Sequence, residues 1–261
     1  MKDQNYDQNP GLNYSGAKLL LRSPLHYITK INAPDDEEDS QALKLGTLTH
    51  MAALQPHQYD KTVCVAPECD RRTKEGKAIW EAFNATLEPH QMAIKKDESD
   101  MIQSMALAAS EALKSRIPDA GKGKWHVEEP LYSTYKGKPI KGRPDLVIEF
   151  ADGLKIIVDI KTTKDASPKA FAKDVSNFKY YLQDAWYKEL TGATRFLFIA
   201  LEKVEPFDYA IYELDEDAIN LGRGQMDLAM DIFSNCLTFQ NYPGYPKEIL
   251  KLTLPKYSFD L

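Results

Sequence analysis

Apolar positions in the first half of the chain recur at helical spacing. Residues 14–21, Tyr-Ser-Gly-Ala-Lys-Leu-Leu-Leu, predict a short helix with Asn13 or Ser15 as N-cap and Pro24 as its end. A second helix is predicted from Ser40 through Leu43, Leu45, Leu48, Met51 and Ala52, stopping near Pro56. A polar, helix-rich stretch follows over 73–117, broken at Pro89. Near residue 125 the pattern changes to alternation. Residues 125–135 and 139–150 predict two strands joined by a turn at Lys136-Gly137-Lys138. Ala151-Asp152-Gly153 predicts a second turn, and the β-branched run over 155–160 predicts a buried strand. Residues 168–175 and 178–190 predict helices, with Gly192 as the C-terminal stop. Two more strands are predicted over 195–204 and 207–214, then a helix over 217–237. The tail, with Pro243, Pro246 and Pro255, is expected to lie extended over the surface. This order implies one unit over 1–261: a mostly helical part to residue 120, an α/β core over 121–237, and the tail over 238–261.

Composition narrows the class. Of the 261 residues 43% are hydrophobic and 28% charged, ordinary values for a globular chain. No run of about 18 apolar residues and no apolar leader is present, which argues against a membrane span or a secretory signal. Three cysteines, Cys64, Cys69 and Cys236, cannot form a disulfide framework, which fits a reducing cytoplasm. They also fall short of the four thiolates of an iron–sulfur cluster or a Cys₄ zinc site. The net charge of −6 speaks at first against nucleic acid. Its distribution reopens the question, because residues 121–179 carry twelve Lys/Arg against eight Asp/Glu. A basic stripe on an acidic body can hold a phosphate backbone, since counterion release depends on local contacts. The acidic run Asp35-Asp36-Glu37-Glu38-Asp39 reads as a solvated loop before a helix.

The chemistry lies in Gly142-Arg143-Pro144-Asp145 and Val158-Asp159-Ile160-Lys161-Thr162. One carboxylate stands at a strand end and a second on the next strand. A lysine follows two residues later on the same face as that second carboxylate. Two carboxylates across a hairpin suit a hard divalent cation, and a nearby lysine can orient a metal-bound water or offset charge on phosphorus. Asp-x-Lys alone is common and can be an edge-strand ion pair. Here Asp159 and Lys161 end an otherwise apolar strand, where ionisable groups are rare unless paired or metal-bound.

Asp145 with Asp159-Ile160-Lys161 resembles the signature of the PD-(D/E)xK nucleases. Gly46-Thr47-Leu48-Thr49-His50 and Gln183-x-x-x-Tyr187 are similar to two flanking motifs of the RecB-like branch, and Tyr14-Ser15 with Ser23-Pro24 resembles its N-terminal helix. With Arg71-Arg72-Thr73-Lys74-x-Gly76-Lys77 added, the resemblance is nearest to nuclease domains of the exonuclease VIII type. It implies a restriction-endonuclease-like α/β fold, a mixed central sheet flanked by helices, plus a helical N-terminal part. It also implies a Mg²⁺-dependent deoxyribonuclease, with Mn²⁺ as a substitute, in which His50, Asp145, Asp159 and the Ile160 carbonyl hold the metal. Lys161 then positions the water, and Gln183 and Tyr187 line the scissile phosphate.

The branch also uses an acidic residue on the strand before the Pro-Asp hairpin. Glu128 and Glu129 stand on opposite faces there; Glu129 is favoured because it would share a face with Leu131 and Ser133. Gly46 and His50, four apart, share a helix face, and the glycine is expected to let that helix approach the sheet. A lone histidine on an apolar helix is more often a core residue; the surrounding motif shifts it toward a metal-side role. Lys141 and Arg143 flank the site as candidate phosphate contacts or solvated charges, and Arg71, Arg72, Lys74 and Lys77 are a further candidate contact. The resemblance further implies digestion of linear duplex DNA from 5′ ends, a strand-annealing partner and a ring-shaped homo-oligomer, a tetramer. Rival readings are an endonuclease of the same superfamily and a non-catalytic DNA-binding scaffold. No G-x-x-x-x-G-K-[ST] phosphate loop exists, so the chain carries no helicase motor of that type.

Overall fold

Sheet strands and helices alternate around two apolar layers in the computed structural model, which describes residues 6, 8–33, 41–117 and 119–254. The acidic run at 35–39, Ser40 and Pro255 lie outside the described residues. Helix α1 spans Tyr14–Arg22, capped by the Asn13 side chain, which accepts from the Gly16 N–H. Pro24 does more than end α1. It opens a helix the periodicity did not predict, α2 (Pro24–Asn32), for which a proline at the first turn is pre-organised. Helix α3 covers Gln41–Leu54, and Pro56 opens the short α4 (Pro56–Thr62). The helix-rich stretch resolves into α5 (Lys74–Asn84) and the long α6 (Lys96–Arg116). The break around Pro89 holds a strand that pairs in parallel with another upstream, β2 (Met92–Ile94) with β1 (Val63–Val65). At three residues each, neither carries enough alternation to be seen in sequence.

The central sheet has the order β3-β6-β7-β8-β9, with ranges Lys124–Val127, Leu146–Glu149, Lys155–Thr163, Arg195–Glu202 and Tyr209–Tyr212. Only β7 and β8 run parallel, so the sheet is mixed. The two long predicted strands are each cut in two. Residues 128–130 separate β3 from β4 (Leu131–Tyr135), and 143–145 separate β5 (Lys138–Gly142) from β6. Pro130 and Pro144 fall in these breaks and have no N–H to give a ladder. The β4–β5 hairpin therefore leaves the main sheet as a separate ribbon. The final predicted strand is shorter than 207–214, and β7 runs three residues beyond 160.

Alternation along β7 and β8 sorts the core. Ile157, Phe196, Phe198 and Ala200 join α8 (Tyr180–Thr191), α9 (Glu216–Phe239) and α1 on one face. Ile156, Val158, Ile160, Leu197, Ile199 and Leu201 join α3 and α6 on the other. Helix α7 (Pro168–Phe178) is separated from α8 by Lys179, whose left-handed conformation sets the break later than the predicted gap at 176–177. Two glycines are demanded by close approach. A Cβ on Gly142 would meet the Leu190 and Tyr187 side chains, and one on Gly222 would lie within 2.1 Å of the Tyr181 carbonyl oxygen. Both contacts seat α8 against its neighbours. Among the described residues no helix is long and apolar enough to cross a membrane, and Cys64, Cys69 and Cys236 are free thiols.

Candidate active site

β6 begins at Leu146, opposite Val158, so the second half of β7 has a ladder partner only on the β8 side. Its open edge is filled by the residue just before β6: the Ile160 N–H donates to Asp145 Oδ2 at 2.9 Å. A residue's N–H and C=O leave a strand on the same edge, so the Ile160 carbonyl is presented on this side too. Asp159 is fully buried, with Lys161 two residues on and on the same face. Lys161 Nζ lies 2.6 Å from Asp159 Oδ2, while Gln183 Nε2 donates to Oδ1 at 2.6 Å. Burial, then the charge of Asp145, raises Asp159 to about 6. Burial alone would lower Lys161, but the carboxylates of Asp159 and Asp145 outweigh it and leave its pKa raised. The lysine is therefore protonated.

From the other side α3 brings His50, whose Nδ1 is 3.4 Å from Asp145 Oδ2. The third group is Glu128. Ligand atoms of His50, Glu128 and Asp145 lie within 4.8 Å of one another, the spacing of a set that can share one cation. Burial, then Asp145, raises Glu128 to about 7 against the opposing pull of Arg143 and His50. Carboxyl groups crowded until their pKa values rise fit a divalent ion, which relieves that repulsion. The expectation for Glu129 is corrected here. β3 ends at Val127, and Glu128 takes a left-handed φ of 52°, so period-two counting fails where it was applied. The Glu128 N–H donates to the Asp145 carbonyl and its side chain meets Arg143 Nε at 3.1 Å. Glu129 is instead turned to His126 Nδ1 at 2.8 Å, and His126 Nε2 faces Glu149. An open pocket of 430 Å³ in front of the set is lined by Thr47, His50, Met51, Gln55, Gln58, Glu128 and Arg143.

Helix α8 places Tyr180, Gln183 and Tyr187 along one face. Gln183 meets Asp159 directly, whereas the Tyr187 hydroxyl donates to the Arg143 carbonyl at 3.3 Å and so braces the hairpin bend. Tyr180 was not anticipated: Lys161 Nζ sits 4.7 Å above its ring. Its spacing of three before Gln183 and seven before Tyr187 was the available signal. Tyr14 of α1 is also drawn in, its hydroxyl donating to the Phe178 carbonyl at 2.6 Å. Burial, then Asp159, pushes that phenol strongly upward, so it stays protonated.

The remaining sequence candidates separate. Lys141 is not a surface phosphate contact: it is buried, and its Nζ donates to the carbonyls of Tyr6 and Asn9 at 2.6 and 2.7 Å. Ile140, Lys141 and Gly142 are all buried in β5, so no alternation along this strand marked Lys141 as inward. Arg143 does line the pocket. Arg71 stacks on Trp80 at 4.4 Å and Arg72 pairs with Asp70 at 3.0 Å; with Lys74 and Lys77 they are exposed, and none of the four lines the His50 pocket. Gly46 faces Thr162, but an added Cβ would be 3.7 Å from its Oγ1, an ordinary contact, so close approach does not demand that glycine.

A mixed sheet with α3 and α8 closing on the open end of its central strand, and Asp145, Asp159 and Lys161 converging there, defines the PD-(D/E)xK nuclease fold. Residues 13–252 match the family described as the PDDEXK-like domain of unknown function (DUF3799), and the chain belongs to that family. Among solved structures it is similar to a candidate exonuclease from Eubacterium rectale, with TM-score 0.63 and 13% identity over 99% of this chain and 97% of that one. It is more distantly similar to a phage-related exonuclease from Haemophilus somnus 129PT, with TM-score 0.37 and 12% identity over 88% of this chain and 96% of that one. At such identities the likeness concerns the fold alone, and the first of the two carries it. Comparison with curated proteins gives no match.

Proposed function

We propose that the chain is a divalent-metal-dependent deoxyribonuclease that degrades linear double-stranded DNA from its ends. The observation that supports this best is the meeting of Asp145, Asp159 and Lys161 with His50 and Glu128 at the open edge of β7. His50, Glu128 and Asp145 are the groups that would hold the ion, with Asp159 and the Ile160 carbonyl beside them. Mg²⁺, or Mn²⁺ in its place, suits such an oxygen-rich set with one imidazole. When bound, the ion polarises the phosphate and acidifies a water. Gln183 fixes Asp159, and Asp159 fixes the Lys161 ammonium, which donates a hydrogen bond to the attacking water or a phosphate oxygen. The water oxygen bonds to phosphorus as the bond to the leaving oxygen breaks, the water's proton passing to solvent and the leaving oxygen taking a proton from solvent. Tyr187 and Arg143 keep the bend that carries Asp145 in place.

The finer reading rests on the resemblance to exonuclease VIII nuclease domains. It comprises 5′→3′ polarity, 3′ single-stranded tails handed to a strand-annealing partner, a ring-shaped homo-oligomer and a cytoplasmic site of action. Plasmid DNA, linear against covalently closed, tests the first division. With Mg²⁺ present, loss of the linear form alone, with release of acid-soluble nucleotides, is expected. Cutting of the closed circle would replace exonuclease with endonuclease. Digestion of neither by folded, metal-loaded protein would leave a DNA-binding scaffold.

A further inference from the structure

Lys18 lies on α1, half-buried, with its Nζ 4.7 Å above the Tyr14 ring. Tyr14 is anchored to the α7–α8 junction through the Phe178 carbonyl, and two residues on Tyr180 carries Lys161 above its own ring. Two ammonium groups thus stand over two neighbouring tyrosine rings at the edge of the site. Their charges are compensated unequally. Lys161 has Asp159 at 2.6 Å, whereas among the described residues no carboxylate pairs with Lys18. Burial, then repulsion from Lys161, lowers the Lys18 pKa, the direction expected of a cation short of a counter-charge. A half-buried ammonium beside a second ammonium and an aromatic wall favours an anion, and a ring face adds only a modest attraction.

We propose that Lys18 binds a backbone phosphate of the strand being cut, adjacent to the scissile phosphate at the Asp145–Asp159 site. This rests on the nuclease reading above and adds a contact that the Asp-x-Lys core does not include. The ligand is a phosphodiester oxygen pair; Lys18 gives it a point charge, and Tyr14 limits where that charge can sit. Lys18 takes no part in holding the metal, so its loss reaches affinity for DNA without reaching affinity for the ion.

The test uses duplex DNA in which single phosphates near one end are replaced by neutral methylphosphonates. Binding is read by fluorescence anisotropy with Ca²⁺ in place of Mg²⁺, for the wild type, Lys18→Ala and Lys18→Arg. At one position the neutral linkage is expected to weaken wild-type binding about tenfold and leave Lys18→Ala binding unchanged. Lys18→Ala should also lower the slope of log K against log salt by about 0.7–0.9, with Lys18→Arg restoring it. Calorimetric Mn²⁺ affinity without DNA should match the wild type in both variants. Equal sensitivity of wild type and Lys18→Ala at every position, or an unchanged salt slope, overturns the proposal. A wild type that neither binds nor cuts DNA overturns the nuclease reading with it, whereas a cutting wild type with an indifferent Lys18→Ala overturns this assignment alone. Thermal melting of each variant separates misfolding from a lost contact, and a folded Lys18→Arg decides the matter if Lys18→Ala does not fold.

Discussion

At the residue scale the site distinguishes neighbours that composition treats as equals. Lys161 and Lys141 are both inward-facing lysines, yet one faces carboxylates and the other backbone carbonyls. Lys161→Ala should lower the rate of DNA digestion by about 10²–10³-fold, because a preorganised cation beside developing charge is removed. DNA binding should change little. Comparable rates would remove Lys161 from the chemistry. Lys141→Ala should instead act on folding, leaving the Tyr6 and Asn9 carbonyls without a buried donor at about 1–3 kcal/mol, read in a urea melt. Glu128 and Glu129 separate in the same way. Glu128→Gln should raise the Mg²⁺ concentration needed for half-maximal activity, whereas Glu129→Gln loses only a contact with His126 that is worth about 1 kcal/mol or less. The opposite ranking in a metal titration would return Glu129 to the site.

Elements matter through how closely they approach. Helix α8 carries Tyr180, Gln183 and Tyr187, and it is located by Gly142 on one side, Gly222 on the other, and the Trp186 indole donating to the Lys141 carbonyl at 3.0 Å. Gly222→Ala would push a methyl against the Tyr181 carbonyl, and overpacking of this kind costs about 1–3 kcal/mol. For a chain of this size that is a fall of about 2–4 °C in melting temperature per kcal/mol. Digestion should slow as well, since Gln183 would be displaced from Asp159. A variant as stable and active as the wild type would show that α8 tolerates a shift. These contacts also mark the limit of what was legible in the chain. Asp159, Lys161 and the buried β7 could be read because an ionisable pair interrupts an apolar run. The helices α1, α3, α8 and α9 could be read because their apolar spacing is regular. The three-residue strands β1 and β2 carry too few positions for a period. The bend at 128–130 inverts the parity of Glu128 and Glu129 through one left-handed residue, which no alternation encodes. Pro130 and Pro144, one in each of the two strand breaks, were the trace of that bend.

For the whole molecule the crowded carboxyl groups at the open edge of β7 couple ionisation to stability. Glu128 and Asp159 have folded pKa values of about 7 and about 6, above their ordinary values of 4.5 and 3.8. The folded state therefore holds protons more tightly than the unfolded chain across that window. A group of this kind stabilises fully below its unfolded pKa, and that contribution is lost as pH rises through the folded value. The metal-free protein should accordingly lose stability from this site between pH of about 4 and about 7. A divalent ion acts in the opposite sense, because it binds the deprotonated carboxylates and releases their protons. Stabilisation by ligand at about one hundred times its dissociation constant is about 2.7 kcal/mol, and the effective dissociation constant falls as the carboxyls ionise. The rise in melting temperature on adding Mg²⁺ should thus be small near pH 5 and largest above pH of about 7. In Glu128→Gln that pH dependence should be much reduced, since one competing proton is gone. Melting curves with and without Mg²⁺ across this range decide it. A metal effect that shrinks with rising pH, or none at any pH, would mean that His50, Glu128 and Asp145 are crowded for a reason other than holding a cation.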